Sequence, residues 1–253
     1  MKDELERLRG SYFDILQQLV FDEKDLDYPW FNLQVPFLEE LAKLNRSALS
    51  VFDLHRKSHL FASENFDDLF SLSVEDAKSH QSLHELVPLE DQVILHEIAI
   101  KMMQLYGEIP HDELGYYKLI NEYRVVVPGG SFIRVIEQHK SFKTDAKGKI
   151  WLALSMVDIS PNQNSGIQVL SQVVNTKNGA TFSLLNQENL PVLTKRESQI
   201  FNLVSRGMLS KEISDQLNIS VHTVNTHRQR ILEKMNANNS IEAIEVGQRF
   251  GLI

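Results

Sequence analysis

Near the C-terminus six polar side chains recur on one side of a helical pattern: His222, Asn225, Thr226, Gln229, Arg230 and Glu233. At about 100° per residue they lie opposite Val224, His227, Ile231 and Met235, which fall within about one third of the circumference. A merely solvated face more usually carries Lys and Glu. This one carries amides, a hydroxyl and an imidazole, which place donors and acceptors at defined positions. The chemistry it offers is hydrogen-bond recognition of another polar surface.

The elements that must hold such a helix announce themselves by their caps. Thr194 and Glu197 are spaced to form a capping box ahead of the apolar series Ile200, Phe201, Val204, and Gly207 can close that helix in the left-handed region. Ser210 is a candidate N-cap for a second helix of two turns, with Ile213 and Leu217 on one face and Asn218 at its end. Ser220 caps the third, which carries the polar face. Short turns alone fit between the three helices, a helix-turn-helix arrangement that points to DNA.

The series Leu193-Thr194-Lys195-Arg196-Glu197, Gly207, Lys211-Glu212-Ile213, Leu217, Ile219-Ser220, Thr223-Val224, His227, Ile231, Lys234 and Ala243 closely resembles the LuxR/FixJ-type four-helix DNA-binding domain of bacterial transcription regulators. The likeness runs without gaps over about residues 190 to 253, and so many agreeing positions make it specific. The resemblance implies that the third helix enters the major groove, that residues just after Thr223-Val224 read bases, and that a fourth helix, Ser240 to Phe250, supplies a dimer contact.

Side-chain chemistry agrees with that expectation. Asn225 and Gln229 can each offer an acceptor and a donor side by side to an adenine edge, and the Thr226 methyl can pack on a thymine. These three are the expected base readers. Lys211, Thr223, Arg230 and Lys234 sit at helix starts or flanks, where a cation or hydroxyl meets phosphate oxygens and fixes register. His227, on the apolar stripe, is expected to pack.

Net charge is −8 over 253 residues, unevenly spread. Residues 190 to 253 hold eight Lys/Arg against six Asp/Glu, which leaves eighteen against twenty-eight upstream. An excess of two is small for a nucleic-acid binder, so affinity must come from cation placement and from two copies on two half-sites. With no cysteine, disulfides, thiolate zinc sites, iron–sulfur clusters and thiol nucleophiles are excluded. The acidic start Lys2-Asp3-Glu4 has no signal-peptide character and no apolar run reaches about 18 residues, so a cytoplasmic protein without membrane contact is expected.

Upstream, Leu5, Leu8, Tyr12, Ile15, Leu16 and Leu19 keep helical spacing, as do Leu38, Leu41 and Leu44. The first helix packs on its own domain by default, with a dimer helix as the sharper reading. From Ser50 to Phe61 the pattern suggests a strand with a turn near Arg56 and Lys57. A short helix over Asn65 to Leu72 and a longer one over Asp91 to Leu105 follow. Strand-like runs then cover Tyr116 to Val127, Phe132 to Phe142 and Lys149 to Val157, divided by Pro128-Gly129-Gly130 and Asp145-Ala146-Lys147-Gly148. With Val51-Phe52-Asp53, Ser63-Glu64-Asn65-Phe66, Val87-Pro88-Leu89-Glu90-Asp91 and Val157-Asp158-Ile159-Ser160, this order is similar to a PAS domain over about residues 48 to 160. That resemblance implies an antiparallel sheet against short helices around a space for a small molecule, a cofactor or side chains.

The fold class expected is therefore α+β, a PAS-like sheet with helices followed by an all-α four-helix helix-turn-helix domain. Its parts are a helical segment 1–47, the PAS-like sensor 48–160, a linker 161–190 with a hairpin around Asn178-Gly179, and the DNA-binding domain 191–253. Asn186 to Pro191 would be the flexible link. No cofactor or metal is assigned: His55/His59 and His80/His84 are spaced by four without a third ligand type beside them.

The function expected is a DNA-binding transcriptional regulator, a homodimer, whose PAS-like domain senses a small molecule or partner. Two alternatives stay open: an autoinducer-binding regulator, for which Tyr28 and Trp30 are a faint trace, and an interaction module reusing the helix-turn-helix. A phosphoacceptor receiver does not fit the amphipathic start. An enzyme finds no support, since nucleophile elbow, phosphate loop and His-Glu-x-x-His are all lacking.

Overall fold

A computed structural model describes residues 1–79, 82–127, 129–164, 169–185, 193–235 and 237–249, with backbone alone for Ser82, His84, Glu245, Gln248 and Arg249. The chain forms two compact units, Met1–Leu184 and Leu185–Ile253.

In the first unit, α1 (Lys2–Gln18) and α2 (Tyr28–Asn45) precede β1 (Ala48–Asp53) and β2 (Ser58–Ala62). Short helices α3 (Asn65–Phe70), α4 (Val74–Lys78) and α5 (Ser82–Glu85) lead to the long α6 (Leu89–Glu108). Strands β3 (Tyr117–Val126), β4 (Phe132–Thr144), β5 (Ile150–Ile159), β6 (Leu170–Asn175) and β7 (Thr181–Phe182) complete one sheet in the order β2-β1-β5-β4-β3-β6-β7, antiparallel throughout. This is the PAS-like antiparallel sheet with helices, extended at the β3 edge by the last two strands.

The N-terminal helices belong to the same core as the strands. Asp27 caps α2 by accepting from the Trp30 amide at 2.9 Å, and α2 buries Phe31, Leu38 and Ala42 in one cluster with Leu49, Val51, Trp151 and Leu152. Burying apolar side chains such as these contributes about 1.5–3 kcal/mol each, so the strands would lose much of their cover without residues 1–47. Helix α1 buries Leu5, Leu8 and Leu16 and packs against α6, where Arg9 donates to Gln92 at 3.1 Å.

The stretch read as a connection, 161–190, is in part sheet. Around the turn Gly179 has φ +75° and donates its amide to Asn175 O at 2.8 Å, so β6 and β7 form a hairpin there, and β6 continues onto β3. Ser160 is buried and donates to Glu122, while Gln163 accepts from the Arg134 amide. The linker expected from residue 161 is tied to the sheet at its start by these bonds. Asn186 to Pro191, the link expected between the domains, lies outside the described residues, as do His80, the His84 side chain, Pro128 and Phe250.

The second unit is all helical: α7 (Lys195–Ser205), α8 (Ser210–Leu217), α9 (Val221–Met235) and α10 (Ser240–Arg249). Its core joins Ile200 and Phe201 of α7, Ile213 of α8, Val224, Ile231 and Met235 of α9, and Ala243 and Val246 of α10, all at most 2% exposed. No described helix is long and apolar enough to cross a membrane.

Candidate nucleic-acid interface

Helix α9 is locked into place from both ends. The Glu197 amide donates to Thr194 Oγ1 at 3.3 Å and the Thr194 amide donates to Glu197 Oε2 at 2.7 Å, the expected capping box. Glu197 is 2% exposed, and Lys234 Nζ near the end of α9 donates to its Oε2 at 2.7 Å. Burial alone would push this carboxyl up; Lys234 and Thr194 outweigh it and hold it below its ordinary value. The start of α7 is thereby bonded to the end of α9. Lys234, expected as a phosphate anchor, gives one of its N–H groups to this ion pair while its side chain stays 36% exposed.

Helix α8 begins differently from the reading of Ser210 as its cap. The last non-helical residue is Leu209, whose amide donates to Glu212 Oε2 at 2.7 Å, and Ser210 is already helical. Leucine has no side-chain acceptor, so among the described side chains it is Glu212 that caps this end, at the Leu209 amide. Ser210 Oγ instead accepts from Arg228 Nη1 at 3.1 Å, and Nη2 of the same guanidinium reaches Ser240 Oγ at 3.0 Å. One rigid fork thus joins the starts of α8 and α10 to the middle of α9. Sequence reasoning passed over Arg228. Its only signal was a lone cation between the apolar stripe and the polar face.

Between α8 and α9 Asn218 sits at φ +56°, ψ +45°, the left-handed turn expected of it. Ser220 Oγ accepts from the Thr223 amide at 3.0 Å, and the two hydroxyls are 2.8 Å apart. With α9 so fixed, Asn225, Gln229 and Arg230 are exposed and Thr226 is half-buried. Thr226 Oγ1 donates to His222 O at 3.0 Å, which leaves its methyl as the group it can offer. Gln229 Nε2 donates to Glu233 Oε1 at 3.2 Å, an exposed bond that another acceptor can replace. The three expected readers therefore share one accessible face. Lys211 is exposed on α8, and Thr223 stands in the first turn of α9. His227 is half-buried on the apolar stripe, and its Nδ1 has no hydrogen-bond partner among the described residues.

The first unit hides its polar chemistry inside. Strand register puts Leu119, Asn121 and Tyr123 of β3, Val135, Glu137 and His139 of β4, and Ser155 and Val157 of β5 on one face. Glu137 receives Tyr123 Oη at 2.9 Å, Ser155 Oγ at 2.6 Å and His139 Nε2 at 3.2 Å. Burial opposes its charge, but His139, Ser155 and Tyr123 bring the carboxyl down to about 2. Burial likewise lowers the His139 imidazole, and Glu137 more than reverses it, so the net shift is upward. Tyr123 is pushed well up by burial and by the Glu137 charge.

Tyr28 and Trp30 pack against the same core cluster with different partners. Tyr28 Oη donates to fully buried Asp53 at 2.8 Å, and burial with that carboxylate raises its phenol to about 12. Trp30 lies 5.6 Å from the Phe142 ring, under Lys143 Nζ at 4.3 Å. His55 approaches Glu23 at 3.6 Å and His59 meets the Phe52 ring edge-to-face at 5.0 Å, and no metal-holding group of three or more His, Asp or Glu occurs among the described residues.

Comparison with known proteins separates the two units. Residues 191–246 match the family model of bacterial regulatory proteins, luxR family. The uncharacterized response regulatory protein YgeK of Escherichia coli is 42% identical over 60 residues, 24% of this chain and 41% of that protein, so the chain spans less than half of this curated relative. Among solved structures, the phage VqmA-DPO complex is 14% identical with a TM-score of 0.38, covering 91% of this chain and 92% of that one. A PAS domain from Colwellia psychrerythraea is 17% identical with a TM-score of 0.37, covering 49% and 97%. On the family match, the C-terminal unit is a luxR-family domain of bacterial regulatory proteins.

Proposed function

We propose that this protein is a sequence-specific, DNA-binding transcriptional regulator whose PAS-like unit senses a small molecule or partner and has no catalytic activity of its own. The observation that carries the reading is the exposed face of α9, where Asn225, Thr226 and Gln229 stand together on a helix clamped by Arg228 and by the Glu197–Lys234 pair. Asn225 and Gln229 meet base edges, and the Thr226 methyl packs on thymine. Lys211, Thr223 and Arg230 flank them for phosphate. The family match of residues 191–246 supports the DNA partner.

Two copies on two half-sites compensate for the small excess of cations, so the active species is a homodimer. It acts where DNA is, in the cytoplasm. A bound ligand shifts the population of dimer arrangements rather than driving chemistry.

The test is a titration of labelled genomic fragments followed by anisotropy across a range of salt. Binding should weaken steeply as salt rises, and one site should outcompete bulk DNA. Binding that is absent or indifferent to salt under all ligand conditions sinks the proposal. Deleting residues 1–184 should leave DNA binding while removing its regulation.

A further inference from the structure

We propose that the inner face of the sheet in the first unit holds a ligand site centred on His139, which takes a hydrogen-bond acceptor, a carbonyl or carboxylate oxygen, carried on an apolar body. The inference rests on the sensor reading and supplies the chemistry of its site.

Accessibility is the first observation. His139 stands between its cross-strand partners Leu119 and Ser155, which are 4% and 9% exposed, yet its own side chain is 35% exposed. A ring flanked by buried neighbours on one sheet face is reached through open space above it. Ser141 and Ala153, paired with each other and next along the same face, are half-buried as well, so that space runs toward them.

Orientation is the second. Nε2 of the imidazole faces Glu137 Oε2 at 3.2 Å, and Glu137 is itself held by Tyr123 and Ser155. The ring is thus aimed by a carboxylate fixed on three sides, and no bond of Nδ1 to a described residue is seen. The Glu137 carboxylate beside the ring favours its protonated form, which presents Nδ1–H as a donor and suits a ligand that brings an acceptor. Glu137 balances the imidazolium, and neither a neutral carbonyl nor a carboxylate is favoured by net charge.

The rest of the face sets the body of the ligand. Leu119, Val135 and Val157 are at most 4% exposed on the same side, and α6, which packs on β3, buries Leu95, Ile98 and Met102. An apolar molecule with one polar end suits this lining. Three donors gathered on one half-buried carboxylate are a costly way to fill a sheet, and they are accounted for by the need to aim an imidazole.

The experiment uses the full chain with isotope-labelled histidine, titrated with benzoate and, separately, benzamide at millimolar concentrations while the ring signals are followed by NMR. The His139 signal, assigned by its loss in His139→Gln or by through-bond correlation along the backbone, should shift and saturate with at least one probe while His222 and His227 stay still. Benzoate alone indicates an anionic ligand, benzamide alone a neutral one, both an oxygen acceptor irrespective of charge. Leu119→Trp fills the space but leaves the Glu137 bonds, so the shift should vanish in that variant even if His139→Gln fails to fold. Silence of His139 with both probes overturns the site, as does a shift that survives Leu119→Trp. The sensor reading fails separately: probe bound at His139 with unchanged affinity for labelled DNA keeps the site and removes its signalling role. DNA affinity altered by an extract of the host, with His139 unmoved, keeps the sensor and overturns the site.

Discussion

The two units spend their polar groups in opposite ways. In the helical unit amides and cations stand on the outside of α9, and three further charges hold that helix: buried Glu197 with exposed Lys234, and half-buried Arg228 with two serines. In the sheet unit the polar groups turn inward. Arg134 and Glu122 pair at 3.1 Å with 1% and 5% exposure, Asp53 is fully buried under Tyr28 and Trp151, and Glu137 gathers three donors. A surface meant for a large polar partner can stay in water until that partner arrives. A site for a small molecule must be built dry, and every charge in it needs a neighbour.

The contrast breaks most visibly if inward charge proves dispensable. Arg134→Ala leaves Glu122 buried without its cation and should destabilise the sheet unit by about 3–5 kcal/mol, read from urea unfolding by far-ultraviolet circular dichroism. A loss below about 1 kcal/mol, the scale of an exposed pair, would show that this charge is not internal in solution. On the outer face, Gln229→Ala should cost about 1–3 kcal/mol of discrimination at one base position and leave stability alone. Competition with single-base variants of the operator checks it; an equal loss on random DNA removes Gln229 from the readers.

Smaller effects sharpen the division within the helical unit. Glu197→Ala removes a cap and should lower its stability by about 1 kcal/mol, measured by thermal unfolding, with DNA affinity falling alike for all sequences. Arg230→Ala should instead keep stability and reduce the slope of log affinity against log salt by about one. Lys234→Ala should behave like Glu197→Ala, and a slope change without a stability change would return Lys234 to the phosphate anchors.

The mildest effect is a pH window. Glu137 is held down at about 2 against an ordinary 4.5, so its contribution is present above 4.5 and fades as pH falls toward 2. His139 is raised from 6.5, so its contribution is full below 6.5 and is lost as pH rises through the elevated value. Both act fully between 4.5 and 6.5, where this pair contributes most to the sheet unit. His139→Gln should flatten that maximum in unfolding measurements taken across pH.

Local rules made the helical unit legible. Thr194, Glu197, Asn218 and Ser220 act within four residues of themselves, and each behaves as its type and spacing predict. What escaped there was long-range: Arg228 reaches Ser210 and Ser240 across 18 and 12 residues, and Lys234 reaches Glu197 across 37. Ser210 was misjudged as a cap because a serine before an apolar run is also a good first helical residue.

In the sheet unit the alternation of strands gave their order and turns, but not their pairing. Nothing local joins β1 to β5, and the register of β3, β4 and β5 that gathers Tyr123, Glu137 and Ser155 is not set by their turns alone. The hairpin of β6 and β7 was legible from Asn178-Gly179, whereas its attachment to β3 was not.

Burial of Trp151 has an optical consequence. Its ring is 0% exposed and its indole nitrogen donates to Asp53, while Trp30 lies half-covered against Phe142. Both tryptophans and all six tyrosines fall in residues 1–184, and among aromatics the reading head has only Phe201 and Phe250. Near-ultraviolet emission from this protein is therefore a report from the sheet unit alone, and a chromophore placed on DNA can be watched against a silent DNA-binding domain.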